Sequence, residues 1–307
     1  MPAGGQQRCN DGEANHSRSL ARKLACMVAV IWSCDASDAP PTPIDPNDLD
    51  GDGIPNAADI CPNRFDTAPE HDEDGDGLGD QCDNCPTVFN PGQGDLGEGE
   101  LQFPDGVGDA CDPRVGRAGD KLNALFAFAR DESGAFVGDG FTIANDRAIA
   151  DGDARWTGVR TGQGDGITAA VRVPVLAWTQ PSGGAVGVVV DSSAVSVAVG
   201  LACELAQDTD GDGFDEVVAR VQPGGGEMRQ SLGVLLMDEV VIIASRQVAF
   251  DRTATLECEV TNQGLKVKLE LPAEDTGTGT YTIAATAAHA EVTSLVVYTA
   301  PFNHGGP

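Results

Sequence analysis

The residues best suited to chemistry in this 307-residue chain are aspartates spaced two apart. In the stretch DEDGDGLGDQCD, carboxylates fall on the ligand positions of an EF-hand loop, and Gly77 stands at position 6. Carboxylates at this spacing converge on one ion when the backbone coils tightly, and the glycine permits the turn. The pattern therefore predicts a calcium loop whose ligands are Asp72, Asp74, Asp76, Asp80 and Asp83.

The same register occurs twice more upstream of residue 113. The first copy is intact, with Gly53 at position 6 and the predicted ligands Asp48, Asp50, Asp52, Asn56 and Asp59. The third is damaged: Leu101 and Phe103 replace the carboxylates at positions 1 and 3, which leaves Asp105, Asp109 and Asp112. Asp95 lies 10 residues before Asp105, where an intact loop has 4, so an insertion of six residues could separate it from its partners. Glu98 or Glu100 could also fill the gap.

The residues around the loops resemble thrombospondin type 3 repeats. The resemblance covers about residues 45–113 and is carried by Asp-x-Cys-Pro at the end of a unit, the spacer from Asn84 to Gln93, and Gly-Asp-x-Cys-Asp in the next unit. It implies an irregular, calcium-wrapped cable with little hydrophobic core. It also implies disulfides between successive units, which on this sequence pair Cys61 with Cys82 and Cys85 with Cys111. The competing interpretation is an acidic, Gly/Pro-rich disordered linker.

Charge agrees with a cation-binding segment. The chain carries 48 acidic and 19 basic residues, for a net charge of -29, and residues 45–112 hold 19 acidic residues against the single Arg64. Repulsion at this density opposes compaction unless cations neutralise it. Nucleic acid is excluded as a partner on the same grounds, because a phosphate-binding surface needs clustered Lys and Arg.

The N-terminal residues 1–34 have the features of an export signal. Basic residues precede an apolar run from Leu24 to Trp32, which is too short to span a bilayer. Ile31-Trp32-Ser33-Cys34 resembles a bacterial lipobox, in which Cys34 would carry lipid. An ordinary secretory signal cleaved nearby and a short cytosolic helix are the alternatives. Residues 35–44 then form a linker, and the expected location is the bacterial cell surface, outer membrane or medium, with membrane contact only through a lipid anchor.

Residues 120–301 are expected to form an antiparallel β-sandwich. Val195 to Cys203, Leu256 to Val260 and Leu265 to Leu271 alternate with period two, and strands are also expected at 185–190, 216–221, within 234–250 and within 281–299. The best helix candidate is Leu122 to Arg130, at no more than two turns. Cys203 and Cys258 both point inward on this pattern, which predicts a third disulfide in the core. The layout is similar to a concanavalin-type jelly roll, and the fold class is therefore mostly β.

A fourth acidic loop lies inside this domain. Its predicted ligands are Asp208, Asp210, Asp212 and Glu216, whereas Ala219 occupies position 12. The missing carboxylate predicts a weaker or water-completed calcium site. A solvated hairpin turn is the alternative.

These features favour a calcium-binding surface or secreted adhesion protein, in which a stiffened stalk presents a lectin-like sandwich to an extracellular glycan or surface protein. No catalytic carboxylate run, nucleophile elbow or zinc-protease motif is present in the sequence, so we expect no enzyme activity. A polysaccharide-processing enzyme with an unrecognised site and a purely structural spacer remain as alternatives.

Overall fold

The computed structural model describes residues 45–66, 70–96, 104–117, 119–161, 166–193, 198–222, 227–231, 244–250, 254–261, 264–270 and 278–300. The chain divides into two compact units, residues 1–46 and residues 47–307. The export signal, Cys34 and the linker at 35–44 lie outside the described residues. Both the acidic loops and the strands belong to the second unit. Among the described residues, no helix is long and apolar enough to cross a membrane.

Fifteen strands make up most of the described part of the second unit, and every strand pairing is antiparallel. The strands are β1 (Lys121–Phe126), β2 (Val137–Ile143), β3 (Ala148–Thr161), β4 (Gly166–Arg172), β5 (Val175–Trp178), β6 (Ala185–Ser193), β7 (Ala198–Ala206), β8 (Glu216–Gln222), β9 (Glu227–Ser231), β10 (Ala244–Phe250), β11 (Ala254–Thr261), β12 (Gly264–Glu270), β13 (Thr278–Thr286), β14 (Ala288–Val292) and β15 (Ser294–Ala300). One 3-10 turn, Ser133–Ala135, precedes β2. The mostly β fold class is confirmed.

The strands form two sheets. One has six strands in the order β1-β15-β4-β12-β11-β10, and the other has nine, in the order β5-β14-β3-β13-β6-β7-β8-β9 with β2 beside β3. Successive residues of a strand face opposite sides, so Val186, Val188 and Val190 of β6 enter the core while Asp191 faces outward. Ile283 of β13 lies between Trp156 of β3 and Val188 of β6. Burial of such apolar rows between the sheets holds the sandwich together.

The expected helix at Leu122 to Arg130 is wrong. Its first half is strand β1, which pairs with β15 so that Leu125 lies opposite Val296. The local sequence tolerates a helix, but β15 gives the backbone hydrogen-bond partners along one side, with an irregularity between Leu122 and Ala124, and tertiary context overrides propensity.

The predicted strands at 185–190 and 216–221 are β6 and β8, and β10 (Ala244–Phe250) lies within the predicted 234–250, of which residues 234–243 are outside the described part of the chain. Strands β11 and β12 pair as the expected hairpin, with Cys258, Val260 and Leu265 buried. The turn at 262–263, Leu271 and the side chains of Leu256, Val267 and Leu269 lie outside the described residues. So do residues 194–197, where the alternation toward Cys203 begins.

The predicted Cys203–Cys258 disulfide is not formed, and both residues are buried free thiols. They lie on opposite sheets, Cys203 on β7 and Cys258 on β11, and their side chains contact each other across the core. Alternation reveals which way a side chain points but not the distance to the facing sheet. A disulfide also needs a particular Cα–Cα distance and particular side-chain directions, which the alternation does not specify.

The acidic segment packs against the outer face of the six-stranded sheet. Cys85, Val107 and Cys111 form a small apolar cluster with Val296 and Tyr298 of β15, on the side of that strand opposite to the main core. Arg172, at the end of β4, donates to the carbonyl of Glu73 at 2.7 Å and to its carboxylate at 3.2 Å. The sandwich therefore has a third, irregular layer on this sheet.

Candidate metal centres

The first two acidic loops, at residues 48–59 and 72–83, have the same internal geometry. In each, the position-1 aspartate accepts two backbone N–H groups: Gly51 and Gly53 donate to Asp48, as their equivalents Gly75 and Gly77 donate to Asp72. The position-6 glycines have φ of 97° and 98°, a left-handed backbone that favours glycine. The backbone of each loop thereby curls around a central position, and the carboxylates of the loop point toward that position.

The carboxylates of positions 1, 3 and 5 meet in both loops. One oxygen from each of Asp48, Asp50 and Asp52 lies within 4.8 Å of the other two, and the same holds for Asp72, Asp74 and Asp76. Burial raises the pKa of Asp74 to about 7, and the neighbouring carboxylates of Asp76, Asp83 and Asp72 add to the effect. Such a group of charges is unfavourable by itself and suits a hard cation that takes oxygen ligands.

Position 9 closes the loop. The backbone N–H of position 2 donates to its side chain: Leu49 to Asn56 at 2.9 Å, and Glu73 to Asp80 at 2.9 Å. The other carboxylate oxygen of Asp80 lies 2.8 Å from Nδ1 of His71. Both oxygens of Asp80 therefore have protein partners, which gives this predicted ligand a role in shaping the loop.

Position 12 turns the chain toward the next unit. Asp59 and Asp83 accept the backbone N–H of Cys61 and Cys85, at 2.6 and 2.7 Å. The second oxygen of Asp59 is buried without a hydrogen-bond partner, as is one oxygen each of Asp50 and Asp52. Unpartnered buried carboxylate oxygens are costly, and a bound cation would satisfy them.

Asp66, which follows the first loop in the chain, adds a further carboxylate to that loop's acidic group. Asp66 is only 6 % exposed and has an unpartnered buried oxygen. Burial raises the pKa of Asp66, and the carboxylates of Asp52, Asp59 and Asp50 raise it further. The sequence reasoning missed Asp66, although it stands 18 residues after Asp48 just as Asn90 stands 18 residues after Asp72.

The third loop is completed by Asp95. Gly106 at position 6 donates to Asp95 at 2.9 Å, the bond that Gly53 and Gly77 make to their position-1 aspartates. Leu96 donates to Asp109 at 3.1 Å, which repeats the closure between positions 2 and 9. The six inserted residues are therefore accommodated after Leu96, in a stretch that includes 97–103, outside the described residues. Among those described, Asp105, Asp109 and Asp112 do not form a metal-sized cluster like those of the first two loops.

The fourth loop, at residues 208–216, lies between β7 and β8. Oxygens of Asp208, Asp210, Asp212 and Glu216 lie within 4.8 Å of one another. Glu216 is fully buried: one oxygen accepts the Thr209 N–H at 2.9 Å, and the other is unpartnered. Ala219 at position 12 faces the core, so it contributes nothing to this centre.

Asp215 anchors the fourth loop and was missed in the sequence. Its carboxylate accepts the indole N–H of Trp178 at 2.9 Å and the backbone N–H of Asp208 at 3.2 Å. Asp208, the first residue of the loop, is thereby connected through Asp215 to Trp178 at the end of strand β5. A movement of Asp215 would therefore alter the hydrogen bond of the Trp178 indole.

Two disulfides link successive repeats, Cys61–Cys82 and Cys85–Cys111. Glycines make room for them: a Cβ on Gly79 would lie 2.8 Å from Sγ of Cys61, and one on Gly108 would lie 2.8 Å from Sγ of Cys85. Near the second disulfide, the hydroxyl of Tyr298 is buried without a partner. Burial raises the pKa of Tyr298, with further contributions from Asp83, Asp112 and Asp74.

Known proteins give two kinds of similarity. The sequence profile of the thrombospondin type 3 repeat matches residues 46–68 and 66–93. No curated protein matches the sequence.

Among solved structures, the kappa-carrageenase from Pseudoalteromonas carrageenovora is 10 % identical, with a TM-score of 0.35, over 61 % of this chain and 98 % of that one. Porphyranase B from Zobellia galactanivorans is 9 % identical, with a TM-score of 0.39, over 61 % and 96 %. The exoplasmic/lumenal domain of VIP36, in a Ca2+/Man3GlcNAc-bound form, is 9 % identical, with a TM-score of 0.38, over 61 % and 92 %. Similarity this low carries no inference about ligand or activity.

The repeating hydrogen bonds, the glycine geometry, the disulfides and the profile match agree for the first two loops. Residues 46–93 are thrombospondin type 3 repeats, members of a calcium-binding repeat family, and they precede an antiparallel β-sandwich in this chain.

Proposed function

We propose that this protein is an exported calcium-binding protein whose repeats brace a sandwich that binds an extracellular glycan. One observation carries the calcium part: three separate acidic loops each bring carboxylate oxygens within 4.8 Å of one another. Buried oxygens without partners in all three loops support it. Carboxylates alone, with no cysteine or histidine in the clusters, favour a hard ion such as calcium.

The ligand part is supported by a cavity between the repeats and the sandwich. Its volume is about 650 Å³, within the range of about 300–1,000 Å³ typical of small-molecule sites. Leu122 and Leu125 of β1 provide apolar lining, and Arg64, Gln81 and Arg130 provide hydrogen-bond donors. The rest of the polar lining is mainly acidic, from Asp66, Glu70, Asp80, Asp83 and Glu132. Because part of the lining comes from the repeats, calcium should control the shape of this cavity.

Export is supported by the two disulfides, which persist in oxidising compartments. Attachment to the outer membrane through lipid on Cys34 is part of the proposal. Mass spectrometry of the protein from its native membrane would detect the lipid. An unmodified thiol at Cys34 in an intact chain would contradict the anchor.

We also propose that the protein is not an enzyme. The proposal is supported by the sequence, which contains no catalytic carboxylate run, nucleophile elbow or zinc-protease motif.

An enzymatic alternative has one specific site. His289 lies 2.6 Å from Asp151 and 3.4 Å from Glu291, so two carboxylates flank one imidazole. Release of reducing ends from polysaccharide by the calcium-loaded protein, abolished by Glu291→Gln, would favour this alternative over a binding function.

Calcium titration of the whole protein by calorimetry tests the main proposal. We expect at least three sites, and one site or none at millimolar calcium would contradict it. Asp74→Asn should weaken the second loop at least about tenfold, because Asp74 has an unpartnered buried oxygen. Asp80→Asn is the matched control, since its oxygens already have partners and the first loop has Asn56 at this position.

Ligand binding is tested on a glycan array with calcium and with chelator. We expect binding that chelator abolishes and that the double variant Gln81→Ala/Arg130→Ala reduces. Arg117→Ala, an exposed change outside the cavity, is the control. Equal binding by all variants would show that the ligand binds outside the cavity. Absence of binding to any glycan would favour a structural spacer.

A further inference from the structure

The end of the third repeat is built like the ends of the first two. In the second repeat, the backbone N–H of Asn90 donates to Asp76 at position 5, over 3.0 Å. In the third repeat, the backbone N–H of Asp120 donates to Asp105 at position 5, over 2.7 Å. Asp120 therefore makes the bond that Asn90 makes, one residue later in the chain: Asn90 and Asp66 each lie 14 residues after the position-5 aspartate, whereas Asp120 lies 15 residues after Asp105.

The turn at position 12 gives a second equivalence. Asp59 and Asp83 accept the N–H of Cys61 and Cys85, and in the same way Asp112 accepts the N–H of Arg114 at 2.7 Å. Arg114 thus stands where the first two repeats have a cysteine. Those cysteines form the disulfides that join one repeat to the next. After the third repeat no further repeat follows.

The side chain of Arg114 points into the acidic group of its own repeat. Its Nε lies 3.1 Å from both carboxylate oxygens of Asp120, and a terminal nitrogen lies 2.7 Å from one of them. The side chains of Arg114 and Asp120 are 5 % and 1 % exposed. Such a buried fork geometry is the strong form of an arginine–carboxylate pair.

Among the described residues, the first repeat has no arginine paired with Asp66 as Arg114 is paired with Asp120. Asp66 and its neighbours Asp50, Asp52 and Asp59 each have a buried oxygen without a partner. The single arginine of that repeat, Arg64, donates instead to the carbonyl of Gln81. A cation from solution is the available means of satisfying this group. In the third repeat a guanidinium already satisfies Asp120, and the unpartnered buried oxygens found there among the described residues belong to Asp95 and Asp112.

We propose that Arg114 replaces a calcium ion in the third repeat, so that the junction between the repeats and strand β1 is held without metal. Asp105 also ties the junction together, because one of its oxygens accepts the N–H of Val107 and the other accepts those of Gly119 and Asp120. Chelation should therefore release the first repeat while the junction stays attached to the sheet. This inference rests on the proposed calcium binding of the first repeat.

Hydrogen exchange of the whole protein, with calcium and with chelator, tests it. In the natural protein we expect amides at 48–66 to lose protection in chelator, while amides at 105–125 keep theirs. In Arg114→Ala, amides at 105–125 should exchange roughly a hundredfold faster in chelator, since one partner of a buried ion pair is gone. Saturating calcium should restore much of that protection, because Asp112 and Asp120 can then share an ion.

Arg64→Ala is the matched control, and it should leave the junction unchanged. Loss of protection at 105–125 in the natural protein on chelation would overturn the inference, as would an Arg114→Ala junction as protected as the natural one. If Arg114→Ala does not fold, the natural protein alone still decides the question. Unchanged protection at 48–66 on chelation would instead contradict the proposed calcium function.

Discussion

Ile283 of β13 is buried among Trp156 and Val188, whereas Asp66, just beyond the first loop, is buried among other carboxylates. Both regions exclude water, but the sandwich does so with apolar side chains and the repeats with charged ones. The sandwich is stable because its buried groups prefer each other to water. The repeats need cations and covalent links, since their buried groups repel one another. Burial alone therefore does not indicate what holds a region together.

Calcium removal should give the largest difference in stability between the repeats and the sandwich. In calorimetry with chelator, we expect residues 47–93 to lose their cooperative transition, because the charges of Asp48 to Asp83 are no longer neutralised. The unfolding transition of the sandwich should persist. Its midpoint temperature should be lower, because the six-stranded sheet loses the repeats that pack on it. A single transition that moves as a whole with calcium would mean that the two regions do not differ in this way.

A core substitution should act on the sandwich alone. Ile283→Ala removes a fully buried side chain and should lower the free energy of unfolding by about 3–4 kcal/mol. The loss, measured by denaturant unfolding, should be the same with and without calcium. Val159→Ala, at a position that is 53 % exposed, is the control and should cost less than about 0.5 kcal/mol.

The two disulfides should differ in whether their loss also lowers the stability of the sandwich. Each closes a loop of 21 or 26 residues and should contribute about 3 kcal/mol in the chain-entropy description. Cys85→Ser/Cys111→Ser should also weaken the sandwich, because this disulfide packs on Val296 and Tyr298. Cys61→Ser/Cys82→Ser should leave the sandwich transition in place. Identical effects of the two pairs on that transition would contradict the packing role.

The smallest effect should be the pH response of His289. Its hydrogen bond to Asp151 raises its pKa, partly offset by burial and reinforced by Glu291. A raised histidine pKa stabilises the folded state below the unfolded value of about 6.5, and the contribution disappears as pH rises through the folded pKa. NMR titration should show this pKa above 6.5, and Asp151→Asn should lower it. An unshifted pKa in the natural protein would show that the pair is not formed in solution.

The sequence was sufficient where chemistry is local. Ligand spacing located the first, second and fourth loops, because neighbouring positions of one tight turn must face the same point. The repeat resemblance implied both inter-repeat disulfides, and period-two alternation located β6 and β8. Each of these features depends on short stretches of chain or on a recurring unit.

The remainder depends on contacts between distant residues. The docking of Cys85 and Val107 on Tyr298 has no local signal, and neither does the pairing that makes β1 a strand. The distance between Cys203 and Cys258 is set by the separation of two sheets. The role of Asp95 was open because the insertion hid its register, and Asp66 and Arg114 act from outside the twelve-residue loops.

The split third loop also identifies a place where the protein accepts foreign sequence. Six extra residues lie between Leu96 and Asp105, yet the bonds from Gly106 to Asp95 and from Leu96 to Asp109 are made as in an unsplit loop. Loop closure grows costly only slowly with length, so a longer peptide here should cost little. An epitope or a fluorescent label inserted between residues 97 and 103 would therefore report on the repeats from within while leaving their closing contacts intact.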